Sequence, residues 1–191
     1  MHKPYLIDGF KFDLRLYILL AGVNPLRIFI YKEGLARFAT EPYESPCPGN
    51  LDNLFMHLTN YAINKDSDNF IPNTNKDCDY IGSKRSYTFV LRTIMEEFGE
   101  AKMKEVQGDI NDLVIKTMCI AQPYLQHLYK SSQPDDIENQ MCFQILGFDV
   151  MLDHNLKCQL LEVNQSPSFT TDSPLDYKIK KALIQDTIKI L

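Results

Sequence analysis

The stretch that most constrains the fold runs from Leu146 to Ser168, LGFDVMLDHNLKCQLLEVNQSPS. Gly147 to Asp153 alternates and is rich in Phe, Val, Met and Leu; Asp153-His154-Asn155 carries turn chemistry, and Leu156 to Val163 is apolar again. A β-hairpin with a tight turn is predicted. With the turn centred on His154 and Asn155, Asp153 pairs with Leu156, Asp149 falls opposite Leu160, and Gly147 falls opposite Glu162. Side chains alternate along a strand and paired residues share a face. Asp149, Glu162 and Asn164 therefore project to one side, the two carboxylates as diagonal neighbours about 7–8 Å apart at the backbone. Phe148, Val150, Leu161 and Val163 take the other side, which the pattern assigns to the core.

Two carboxylates and an amide oxygen on one face of strands that otherwise read as buried repel each other unless a cation lies between them. Oxygen ligands of this kind suit Mg²⁺, which takes its remaining ligands from water and nucleotide phosphates. The same spacing also fits a solvated sheet edge with scattered polar residues. The hairpin alone leaves both readings open.

At 191 residues, 45% hydrophobic and 24% charged, the chain can bury one sizeable core and has the composition of an ordinary globular domain. One domain, or a piece of a larger one, is expected. No apolar run reaches the roughly 18 residues of a membrane span, and the N-terminal MHKPYLIDG lacks the apolar centre of a signal peptide. An intracellular protein without a membrane partner is expected. Cys47, Cys78, Cys119, Cys142 and Cys158 are dispersed, as are His2, His57, His127 and His154, which argues against a zinc site and a disulfide framework. A net charge of -5 gives no footprint for nucleic acid, and an acidic partner has to be met by a local basic patch.

Upstream, Tyr5 to Ile7 reads as a short strand closed by Asp8-Gly9, and Lys11 to Ala21 as a long one. In the long strand Phe12, Leu14, Leu16 and Ile18 occupy one side and Lys11, Asp13, Arg15 and Tyr17 the other. Its charged side reads either as a solvated face or as the mouth of a ligand site. Pro25 starts a strand over Leu26 to Tyr31, and Lys32-Glu33-Gly34 is read as the turn into a third strand, Leu35 to Ala39. Arg37, flanked by apolar residues, needs an anionic partner from the protein or from a ligand. Glu41 to Leu54, with three prolines, is a loop, His57 to Asn64 holds capping and turn residues, and Asp66 to Gly82 is irregular. Ser86 opens a helix to about Phe98 that Gly99 stops. A longer helix begins at Asp109 and contains Pro123, and Ser173-Pro174 starts the last one.

KFDLR at 11–15, GLARFAT at 34–40, HLTNYAINK at 57–65, GSKRS at 82–86, GFDV at 147–150 and LLEVNQSPS at 160–168 together resemble the tubulin-tyrosine-ligase-like family. The match runs in order over nearly the whole chain. The wording of EGLARFAT and MHLTNYAINK is most similar to the polyglutamylase branch. The resemblance implies an α/β (α+β) fold of ATP-grasp type: an antiparallel or mixed sheet with flanking helices, here its C-terminal portion, residues 1–191 forming one catalytic region. It implies ATP and Mg²⁺ as cofactors, Asp149, Glu162 and Asn164 as metal ligands, and Lys11, Phe12, Asp13, Thr59 and Asn60 at the nucleotide. Arg15 falls at the phosphates; Arg37 is expected to bind the incoming amino acid's carboxylate in a pocket lined by Tyr61 and Lys84.

The implied reaction joins free L-glutamate to side chains of the acidic tubulin tails through an acylphosphate. Such chemistry draws on positioning and electrostatic stabilisation rather than covalent work by the protein. Tubulin or microtubules as partner, a monomer, and residence in the cytoplasm, the cytoskeleton and the cilium, axoneme or basal body are further expectations. Alternatives are a relative that adds glycine or tyrosine, and a truncated, non-catalytic microtubule-binding homologue. The start at Met1 coincides with the end of the family's adenine hinge, so the 191 residues alone are expected to bind ATP weakly or not at all.

Overall fold

A computed structural model describes residues 3–75, 78–138 and 141–191. Lys76 and Asp77, inside the segment expected to be irregular, lie outside the described residues, as do Met1 and His2. The chain forms β1 (Leu6–Ile7), β2 (Phe10–Val23), β3 (Leu26–Phe38), α1 (Leu54–His57), α2 (Tyr61–Asn64), β4 (Lys84–Ser86) and α3 (Tyr87–Phe98). It continues with α4 (Glu100–Ser132), β5 (Gln144–Leu152), β6 (Cys158–Asn164) and α5 (Pro174–Ile190). The strands form one antiparallel sheet in the order β4-β3-β2-β5-β6, with β1 paired to β2.

Alternation along β2 decides what covers the sheet. Phe12, Leu14, Leu16, Ile18 and Leu20 enter a core shared with Val90 and Ile94 of α3 and Val106, Ile110, Val114 and Met118 of α4. On the opposite face Tyr17 and Leu35 pack against Leu175, Ile179 and Leu183 of α5. That second core is small. It covers one end of the face and leaves Asp13 and Arg15 outside it.

The helix signals hold at three termini. Ser86 Oγ accepts from Phe89 N at 2.9 Å, Gly99 closes α3 with φ +88°, and Ser173 Oγ accepts from Asp176 N at 3.1 Å at the start of α5. Helix α4, however, begins at Glu100 rather than Asp109, because Ala101 to Glu105 are good helix formers and Val106 already belongs to the core. It runs through Pro123 to Ser132.

Two strand expectations are corrected. Lys32-Glu33-Gly34 is not a turn: β3 is continuous, and the register jumps from Leu16↔Gly34 to Ile18↔Ile30, so Tyr31 to Glu33 bulge opposite Tyr17. Glycine is needed there because a Cβ on Gly34 would stand 2.6 Å from the Arg15 carbonyl oxygen. The hairpin turn is also longer than expected. Leu152 pairs with Cys158, and Asp153 Oδ1 gathers the turn by accepting from Asn155 N at 2.8 Å and Lys157 N at 2.9 Å. A bulge follows, with Val150 opposite Leu160 and Asp149 opposite Glu162. Each change moves the register by one residue, so the sum is even and the side-chain parity survives. Leu161 and Val163 are exposed rather than in the core, because β6 is the sheet's edge and Leu161 is the bulged residue.

Candidate functional site

Four cross-strand pairs build a charged row on the face that α5 leaves open. Lys84 of β4 is opposite Arg37 of β3, Arg37 opposite Asp13 of β2, Arg15 of β2 opposite Asp149 of β5, and Asp149 opposite Glu162 of β6. Opposed residues share a face and stand about 5 Å apart at Cβ. The row is sorted by sign: cations at the β4–β3 end, acids at the β5–β6 end, and one of each on β2.

Its centre is a network of paired charges. Arg15 grips Asp149 with two hydrogen bonds, Nε to Oδ1 at 2.5 Å and Nη2 to Oδ2 at 3.0 Å. Arg37 donates through Nε to Asp13 Oδ1 at 3.0 Å, through Nη2 to Asp13 Oδ2, and through Nη2 to Asp149 Oδ2 at 2.8 Å. Asp13 is 1% exposed and Asp149 3%. Carboxylates this deep require such partners. Burial pushes the Asp149 carboxyl up, but the hydrogen bonds and charges of Arg15 and Arg37 outweigh it and hold the group below the usual carboxylate range. Burial likewise works against the Arg37 cation, and Asp13 and Asp149 more than reverse it, raising its pKa.

Gly147 makes room for this network. A Cβ there would meet Pro167 at 3.0 Å and the Arg15 Cδ at 3.2 Å, so the Arg15 side chain lies over a bare backbone. Asn164, directly opposite Gly147, donates through Nδ2 to Glu162 Oε1 at 2.9 Å and reaches Asp149 Oδ2 at 3.5 Å. Asp149, Glu162 and Asn164 therefore converge on one side of the sheet, as the alternation requires, with the two carboxylates directly opposed rather than diagonal. Among the described residues no three His, Cys, Asp or Glu side chains form a metal-sized group, so a cation here would need the amide of Asn164 as its third ligand.

The remaining candidates divide. Lys11 Nζ donates to the His57 carbonyl at 2.6 Å and ties the 57–61 segment to β2; burial lowers its pKa. Thr59, buried, and Asn60, exposed, lie between α1 and α2, and no side-chain bond ties either to the row. Tyr61 lies beneath Lys84, whose Nζ is 3.7 Å from the ring centroid. Phe12 belongs to the opposite face: it is buried and stacked on Phe38 at 5.0 Å, so its side chain is core and does not face the row. Sequence reasoning missed Asp176 and Lys180 of α5, both buried beside Lys84. The available signal was a pair of opposite charges four residues apart, adjoining the apolar stripe Leu175, Ile179 and Leu183.

Comparison with known proteins places the chain. The family model described as the tubulin-tyrosine ligase family matches residues 1–191. A "Probable beta-tubulin polyglutamylase" of Tetrahymena thermophila is 54% identical over 191 residues, 100% of this chain and 16% of that protein. Human "Tubulin polyglutamylase TTLL13" is 50% identical over 191 residues, 99% of this chain and 23% of that protein. Human "Tubulin polyglutamylase TTLL6" is 49% identical over 189 residues, 99% of this chain and 20% of that protein. The chain thus spans 16–23% of the length of these relatives. A mixed α/β architecture, with its antiparallel sheet and flanking helices, agrees with the ATP-grasp-like expectation. The chain belongs to the tubulin-tyrosine ligase family.

Proposed function

We propose that this chain is part of the catalytic region of an ATP- and Mg²⁺-dependent ligase that adds glutamate to side chains of tubulin tails, a tubulin polyglutamylase acting in the cytoplasm on the microtubule cytoskeleton, including cilia. The names of its relatives support the substrate class, and the family's ATP-grasp-like character supports the cofactors. One observation carries the reading: the sheet sorts its charges, with acids gathered on β5–β6 and cations on β3–β4. A reaction joining a metal-bound triphosphate to an amino-acid carboxylate needs those two environments side by side.

The residues fit Mg²⁺. Asp149, Glu162 and Asn164 offer hard oxygen donors on adjacent strands, and Glu162 is exposed with one oxygen bonded only to Asn164. A cation there would take the Asn164 amide oxygen in place of the present Nδ2 contact. When bound, ATP with its magnesium would supply the phosphoryl group that activates a tail carboxylate as an acylphosphate, from which the glutamate amine would displace inorganic phosphate as the amide bond forms. Arg15, fixed by Asp149 and lying over Gly147, presents its guanidinium where phosphoryl charge builds. Arg37, shared between Asp13 and Asp149, is pre-oriented for the amino-acid carboxylate, with Lys84 and Tyr61 beside it.

In the full-length protein, Arg37→Ala is expected to abolish transfer of labelled glutamate to tubulin while ATP binding persists. Unchanged glutamate incorporation would sink the assignment.

A further inference from the structure

Alternation along β2 places Lys11 on the same side of the sheet as Asp13, Arg15 and Tyr17. Helix α5 closes the Tyr17 end of that side, and the backbone between α1 and α2 closes the other, where Lys11 Nζ reaches the His57 carbonyl. Asn64, the last residue of α2, holds this backbone from its far flank. Its Nδ2 donates to the Leu58 carbonyl at 2.8 Å and to the Asn60 carbonyl at 3.2 Å. Its Oδ1 accepts from the Thr40 N–H and from the Thr40 hydroxyl, each at 3.0 Å. Thr40 lies just past the end of β3, the strand that carries Arg37.

Asn64 is 1% exposed and is the only buried residue of α2, so a polar side chain rather than an apolar one anchors that helix. An amide has two donor hydrogens and two acceptor lone pairs, and here all of them are used. An apolar residue could fill the same space, but it would leave the Leu58 and Asn60 carbonyls unpaired. A local turn needs only the bond to Asn60; the bonds to Thr40, 24 residues away, fix the segment to the sheet. The carbonyls of His57, Leu58 and Asn60 are thus all held by side chains, while among the described residues no side-chain hydrogen bond engages Thr59 or Asn60. A fixed backbone that carries uncommitted polar groups beside a charged row is pre-organised for a ligand.

We propose that Asn64 is a positioning residue for the nucleotide: by locking the 58–60 backbone to the end of β3 it presents Thr59 and Asn60 in a fixed place beside the row. The proposal rests on the ligase reading above, with Thr59 and Asn60 at ATP, and gives Asn64 no contact with ATP itself.

The test is calorimetric binding of Mg²⁺ and ATP to the full-length protein, without tubulin or glutamate. Asn64→Ala should weaken ATP binding by about ten-fold or more. Thr40→Val, which keeps the Thr40 N–H on Oδ1 and both bonds from Nδ2, should leave the affinity within about three-fold. Because Asn64 acts through its neighbours, adding Asn64→Ala to Thr59→Ala/Asn60→Ala should cost little beyond that pair alone. Thermal unfolding checks that Asn64→Ala is folded, and Asn64→Ser replaces it otherwise. A folded variant with wild-type ATP affinity, or a loss that multiplies independently with that of Thr59→Ala/Asn60→Ala, makes Asn64 a fold residue only and overturns the proposal. Wild-type affinity in Thr59→Ala/Asn60→Ala removes the nucleotide role of the segment and the proposal with it, whereas a wild type that binds no ATP overturns the ligase reading beneath both.

Discussion

The two faces of β2 differ by one residue of offset and by almost everything else. Leu14 and Leu16, under α3 and α4, have no polar business and are sealed by hydrocarbon. Asp13 and Arg15, their immediate neighbours, are nearly as deep yet wholly committed to charge pairs across three strands. One face supplies the free energy that keeps the sheet together, at about 1.5–3 kcal/mol per fully buried large aliphatic side chain. The other draws on that stability to hold charges in fixed positions, since a buried ion pair adds little net stability of its own. The difference teaches that burial alone does not identify core; the partner's chemistry does.

The largest effect should come from the apolar face. Leu14→Ala leaves a cavity in a fully buried site and should cost about 2–5 kcal/mol in denaturant unfolding. Activity per folded molecule should stay near wild type, because Leu14 points away from the charged row. A loss of activity exceeding the loss of folded protein would break the division between faces.

A smaller, pH-gated loss is expected from the charged face. Asp149 has a folded pKa below its unfolded value, so its stabilisation is fully present above the unfolded pKa of about 3.9 and disappears as pH falls through the folded pKa. The thermal midpoint should therefore hold from pH 7 to about 5 and fall below about pH 4. Asp149→Asn should flatten that acid limb, and an unchanged limb would remove Asp149 from the account.

Glu162→Gln should change least in stability, within about 0.5 kcal/mol, because the side chain is exposed on an edge strand. In the full-length protein the same variant should lose Mg²⁺-dependent ATP binding by calorimetry, and removal of Mg²⁺ with a chelator should do the same to the wild type. Destabilisation as large as that of Leu14→Ala would show that the acidic edge also supports the fold.

Much of this arrangement is legible locally. The period-two pattern of Phe12, Leu14, Leu16 and Ile18 gives β2 and both its faces, and Ser86, Gly99 and Ser173-Pro174 mark helix ends through their own backbone chemistry. The convergence of Asp149, Glu162 and Asn164 is legible from strand alternation, and it holds because the longer turn and the bulge at Leu161 offset each other. What escapes is set by distant partners. That Arg37 meets Asp13 and Arg15 meets Asp149 follows from β2 lying between β3 and β5, a strand order that no spacing within the hairpin reveals. Gly34 looks like a turn because its requirement, the close approach of the Arg15 carbonyl, comes from another strand. Lys180 escapes because a lysine beside an apolar helical stripe ordinarily extends to water, and only the packing of α5 against β2 and β3 buries it.

The extra residue in the 153–157 turn and the extra residue at Leu161 are individually disruptive and jointly silent. Lengthening or shortening the loop by a single position, with the bulge left in place, would rotate Glu162 toward the helices and present a leucine or a valine to Asp149. Descendants of this sequence can therefore vary that loop freely only in steps of two, or by paired changes at both places, so insertions and deletions there should be inherited as coupled events.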